Sequence, residues 1–154
     1  MRIVLPYLMM LALVTGLFTS GTCQQKPAPK LTPPQLQSFI GNTKGGTLPL
    51  EMTLNLVDSA VWVIDAKKNR YYIARFVVLY RSKDRFEDEQ TGEIKTHYNS
   101  SSLEVKNANS ISESWRKYLY ENFKSGDELL IGDIIVRDRN GEYYKAPDIK
   151  IFIQ

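Results

Sequence analysis

The sequence predicts a mainly β domain, a small antiparallel sandwich of two sheets with one amphipathic helix over about residues 110–124. Three observations carry this. Period-two apolar runs outnumber period-3.6 runs. Turn signals recur at roughly ten-residue spacing, as in small sandwiches. The chain has 154 residues and is 43% hydrophobic, enough for one core and one domain.

Arg2 gives the chain a positive start, and Ile3 to Phe18 is a largely apolar run interrupted by Pro6 and Gly16. Small residues follow, Thr19 to Thr22, so residues 1–22 read as a secretory signal peptide. Cys23 comes next and is the single cysteine. No intramolecular disulfide and no cysteine metal cage can form. The position is where a bacterial lipoprotein is cut and acylated, so Cys23 is the expected lipidation site. Ser20-Gly21-Thr22-Cys23 lacks the usual leading apolar residue and resembles the looser boxes of Bacteroidetes lipoproteins. Residues 23–40 contain Pro27, Pro29, Pro33 and Pro34 and read as a semi-rigid tether.

The domain is expected over residues 41–154, its first ordered residue falling between Leu36 and Thr47. Gly45-Gly46 lacks the Gly-Lys-Ser/Thr ending of a phosphate loop and reads as a turn before a strand. Leu50 to Val57 alternates and is expected to be a half-buried strand. Ala60 to Ile64 and Tyr71 to Tyr80 form a hairpin through Asp65–Asn69, with Asn69 taking positive φ. Tyr71 to Tyr80 is apolar on both faces and reads as the central strand, with Tyr72, Ala74, Phe76, Val78 and Tyr80 on one side. Arg75 within it needs a partner or an exit to solvent.

Arg81 to Thr96 is polar, and Thr91-Gly92 marks the turn of a long hairpin or loop. Asp84, Glu87, Asp88 and Glu89 lack the ligand spacing of a calcium loop. Ile94–Tyr98 and Ser102–Val105 read as two short edge strands. Ser110 and Glu113 have the spacing of a capping box. Ile111, Trp115, Tyr118, Leu119 and Phe123 recur at steps of three and four, and Gly126 is placed to close the helix. Leu129–Val136 is an apolar strand, Asn140-Gly141 a two-residue hairpin turn, and Asp148–Ile153 a final strand with an edge open to pairing.

The chemistry of an enzyme is missing. His97 is the single histidine and lies in a polar segment; no Gly-x-Ser-x-Gly turn presents a serine. Asp133 and Asp148 could approach each other across paired strands, but capping explains both. No catalytic residue, metal or cofactor is expected. The net charge of +3 is scattered along the chain, which argues against nucleic acid. The aromatics Trp62, Tyr71, Tyr143 and Tyr144 lie in or beside hairpins and form the expected interaction surface, since tyrosine and tryptophan are favoured at protein interfaces.

Three blocks carry a resemblance: Leu119 to Ile134 with its Lys-Ser-Gly-Asp stop, Asp138-Arg139-Asn140-Gly141, and Pro147 to Ile153. Together they resemble the C-terminal domain of GldM (PorM), of the gliding and type IX secretion machinery of Bacteroidetes. The likeness is firm over about forty residues and rests on structural motifs. It implies an immunoglobulin-like sandwich and a periplasmic binding module that meets lipoproteins under the outer membrane. The chain departs from that family's plan in having no transmembrane anchor and no preceding domains. The expected function is therefore a non-enzymatic cell-envelope interaction module, a periplasm-facing lipoprotein held by acylated Cys23, with the outer membrane favoured. Its expected partners are envelope proteins, including lipoproteins of a secretion or gliding complex, and a homodimer stays open. The alternative is a small lipoprotein that binds a small ligand or glycan through loops at the sandwich end.

Overall fold

A computed structural model describes residues 34–154. The signal peptide, Cys23 and the four tether prolines except Pro34 lie outside the described residues. The elements are β1 (Leu36–Ile40), β2 (Gly45–Leu48), α1 (Leu50–Val57), β3 (Val61–Asp65), β4 (Arg70–Glu87), β5 (Ile94–Lys106), α2 (Glu113–Asn122), β6 (Glu128–Arg137), β7 (Tyr143–Lys145) and β8 (Ile149–Ile153). The fold is mainly β, as expected. The strands run in the order β1-β3-β4-β6-β8-β2, with β5 beside β4 and β7 beside β6. Every named pair is antiparallel except β2 with β8.

Two bulges shape the sheet. On β4, Ile73 pairs Val136 and Arg75 pairs Ile135, so Ala74 is extra; on β6, Val77 pairs Gly132 and Arg75 pairs Ile135, so Asp133 and Ile134 share one place. Asp133 takes φ +48 there. A bulge shifts the side-chain phase by one residue. Before the β4 bulge Tyr71 and Ile73 pack on the core; after it Phe76, Val78 and Tyr80 do. On β6 the buried set changes from Leu129 and Ile131 to Ile134 and Val136. This corrects the expectation that Tyr72 shares a face with Phe76, since Tyr72 is 62% exposed. Arg75 exits to solvent and pairs Glu104 at 3.3 Å.

Leu50–Val57 is a helix, not the expected strand. Its apolar stripe is Leu50, Leu54 and Val57 with Thr53, spaced one, four, five and eight along the segment, and Met52 is exposed. Eight residues fit both periods, and the polar Thr53 hides the helical one. Its buried hydroxyl donates to the Pro49 carbonyl at 3.1 Å. The expected helix is present as α2, with Ile111, Leu119 and Phe123 buried. The capping box is not formed: Ser112, which follows the buried Ile111, is the N-cap, without a side-chain cap bond. Gly126 has φ +96, but it serves a turn past the helix, where Asp127 N–H donates to the Lys124 carbonyl at 3.2 Å.

Other turns differ in detail. Lys68, not Asn69, takes positive φ (+65), while Asp65 accepts the amides of Lys67 and Asn69. The β6–β7 connection is a three-residue loop with Gly141 at φ +90, closed by Asp138 N–H to the Glu142 carbonyl, rather than a two-residue turn. β5 is one strand of 13 residues, not two short ones. β1 occupies the last five residues of the segment read as tether, so the domain begins before residue 41. The final strand has no open edge: β8 lies between β6 and β2.

The β4–β5 hairpin extends beyond the sheet. Pairing with β6 stops at Arg81–Glu128, whereas pairing with β5 continues to Glu87–Ile94. Residues 82–87 and 94–99 thus form a two-stranded arm.

Candidate interaction surface

The start of β4 brings together aromatic and basic side chains that are distant in sequence. Tyr72 pairs Arg137, and Arg137 pairs Tyr143. Directly opposed residues share a face, so the three form a row. Tyr72 and Tyr143 are each 62% exposed. Arg70 lies two residues before Tyr72, hence on the same face. Its guanidinium stands 5.4 Å from the centroid of the Trp62 ring. Trp62 pairs Phe39 in register and stacks on it, with ring centroids 4.2 Å apart. The ammonium of Lys44 lies 5.1 Å from the Phe39 ring. The result is a ladder of cations and aromatics, in which each cation meets the negative face of a ring. The Trp62 indole N–H donates to the Gly41 carbonyl at 2.6 Å and fixes the ring. A cleft of about 350 Å³ opens beside it, lined by Trp62, Arg70, Tyr72 and the 107–109 loop.

This face is rich in bases that lie beyond salt-bridge reach of an acid. Among the described residues, Lys44, Arg70, Arg137 and Arg139 enter no ion pair, whereas Arg75, Arg81, Arg116, Lys145 and Lys150 each have an acidic partner. The acids nearby are engaged in turns. Asp65 holds its own loop, which keeps its carboxyl below the usual range through the Asn69 side-chain bond first. Asp138 accepts the amides of Asn140 and Glu142. Four bases distant in sequence therefore border one face, with the Asp65 and Asp138 carboxylates beside them.

Of the four expected surface aromatics, the fold places Trp62 and Tyr143 on this face. Tyr71 and Tyr144 turn inward, half-buried, and meet edge to face with centroids 6.0 Å apart. Burial pushes the Tyr71 hydroxyl up. The Tyr144 hydroxyl is pushed up to about 12, chiefly by its 2.6 Å bond to Glu142. Phe39, Arg70 and Arg137 join the face without having been expected there, and Tyr72 joins it although its strand pattern placed it with Phe76. Only the cross-strand register and the β4 bulge identify them.

The carboxylates considered as a pair do come close, but each is occupied. Asp148 accepts the Asp133 amide at 3.2 Å. Asp133 binds Lys145 at 3.0 Å, and that ammonium holds its carboxyl below the usual range. Both border a shallow groove of about 320 Å³ floored by Val77, Leu79 and Leu130. His97 is exposed on the arm, with Nε2 at 3.0 Å from the Asn99 amide oxygen, and no hydrogen bond joins it to a serine. The buried carboxylate of Asp127 binds Tyr80 and two backbone amides and is fully used. Among the described residues no cluster of three His, Cys, Asp or Glu side chains could hold a metal ion. No helix there is long and apolar enough to cross a membrane. No family model and no curated protein matches the chain.

Proposed function

We propose that this chain is a non-enzymatic cell-envelope interaction module, and that the cation–aromatic face is where it meets another protein. One observation carries the reading: Tyr72, Arg137 and Tyr143 stand in a row, exposed, beside Arg70 and Trp62. Tyrosine, tryptophan and arginine are the residues that dominate binding energy at interfaces. A rigid sheet presents them, so little order has to be imposed on binding. The signal segment, Cys23 and the proline-rich tether support an exported lipoprotein of a Bacteroidetes-type envelope. The likeness of the C-terminal blocks to GldM supports a partner in a secretion or gliding complex. The alternative, a glycan or small-ligand site, is less well served. The Trp62 ring already carries Phe39 stacked on it and Arg70 over it, which leaves little of it for a sugar.

Capture from detergent-solubilised envelopes tests the reading. The full chain is expected to retain a stoichiometric envelope protein, and the Tyr72→Ala/Tyr143→Ala variant to lose it. Equal capture by both would remove the face from the account. Separately, Cys23→Ala is expected to shift the protein from the membrane to the soluble fraction; unchanged fractionation would remove the lipid anchor.

A further inference from the structure

We propose that the acidic tip of the β4–β5 arm of one copy docks on the cation–aromatic face of a second copy, joining chains head to tail. This rests on the reading of that face as an interaction surface and names an occupant for it.

The tip is complementary to the face in both charge and apolarity. Residues 87–93 carry four acids, Glu87, Asp88, Glu89 and Glu93, and no base. Asp88 is held by Lys95, but Glu87, Glu89 and Glu93 have no basic partner among the described residues. Phe86 and Ile94 flank the tip and are 50% and 74% exposed. The face offers Lys44, Arg70, Arg137 and Arg139 without acidic partners, and Trp62, Tyr72 and Tyr143 as apolar surface. Elsewhere on the sheet Glu104, Glu128 and Asp133 are already held by bases of their own chain. The unpaired acids of the tip are thus opposite in sign to the unpaired bases of the face.

Geometry makes the contact intermolecular. Tyr72 and Glu87 lie near opposite ends of one continuous strand, 87 − 72 = 15 residues apart. At about 3.3 Å per residue that is roughly 50 Å, so a chain cannot reach its own face. A docked pair leaves one tip and one face free. Such a heterologous contact builds open chains, or rings where the rotation closes. The two-stranded arm is paired to itself alone, so it can meet the face of another copy without disturbing the sheet.

Sedimentation velocity of the full chain in detergent tests this. At about 50 mM salt the average mass is expected to rise with concentration, and at about 500 mM, where exposed charges are screened, to fall to that of the monomer. Glu87→Lys/Glu89→Lys/Glu93→Lys and Arg70→Glu/Arg137→Glu are each expected to stay monomeric with unchanged melting. An equimolar mixture of the two is expected to associate again, because each reversed tip then meets a reversed face. A monomer at every concentration, or association that survives the tip reversal, would overturn the proposal. Capture of a different envelope protein by a chain that stays monomeric would also overturn it and leave the interaction surface standing; loss of that capture as well would remove both.

Discussion

The hydroxyl of Tyr80 stands 2.7 Å from the buried carboxylate of Asp127. The same carboxylate accepts the amides of Lys83 and Lys124, each at 2.9 Å. One side chain thus ties β4, the turn after α2 and the start of β6. Tyr80 also lies edge-on to Tyr118 and tilted on Phe123, so the polar knot sits inside an aromatic one. Asn at position 127 would turn an amide N–H₂ toward donors. Asp127→Asn is expected to cost about 2–3 kcal/mol, and Tyr80→Phe about 1–2 kcal/mol, in urea unfolding. A cost for Asp127→Asn below that of Tyr80→Phe would contradict the shared role.

Alkaline stability should follow the same bond. Burial, and then the hydrogen bond to Asp127, raise the Tyr80 hydroxyl well above its ordinary value of 10.0. The folded state then keeps its proton where the unfolded state loses it. The contribution is complete below about pH 10 and declines above it. Chemical unfolding across pH 9 to 11 should show stability falling more steeply in the parent than in Tyr80→Phe. Parallel slopes would count against the assignment.

Two neighbouring glycines give a controlled comparison. Gly45 and Gly46 have φ +104 and +115, so both are strained by any side chain. A Cβ on Gly45 would lie 2.3 Å from the Lys150 carbonyl oxygen, whereas one on Gly46 meets nothing within 4 Å. Gly46→Ala is expected to cost about 1–2 kcal/mol from backbone strain alone. Gly45→Ala should cost more, by breaking the β2–β8 pairing. Equal melting temperatures for the two variants would contradict the packing argument.

Removal of residues 148–154 is expected to abolish cooperative unfolding. β8 buries Ile149, Ile151 and Ile153 and is paired on both sides. Its end also closes the chain: Gln154 N–H donates to the Leu48 carbonyl, and Leu50 N–H to that of Gln154. A truncated protein with an intact cooperative melt, followed by circular dichroism, would refute this.

The parts legible in sequence are those whose period is long and unbroken. α2 and β8 repeat their apolar residues without a break, and β6, whose phase shifts at Asp133, is apolar along nearly its whole length. α1 is too short for that, and Thr53 masks its stripe. The bulges at Ala74 and Asp133 leave no strong local mark, yet they decide that Tyr72 faces out and Ile73 faces in. The interaction surface suffers most. Phe39, Trp62, Arg70, Arg137 and Tyr143 come from five strands, and only register assembles them. Trp62 and Tyr143 were recognisable as aromatics near turns; the arginines between them were not.

Site-specific photo-crosslinking tests the interaction surface most directly. A photoreactive residue placed at Tyr72 or Tyr143 of the full chain, in intact envelopes, is expected to give a discrete protein adduct. The same residue at Glu121, exposed on α2, is expected to give none. Adducts from Glu121 alone, or none from Tyr72 and Tyr143, would contradict the assignment of this face as the place where the module meets its partner.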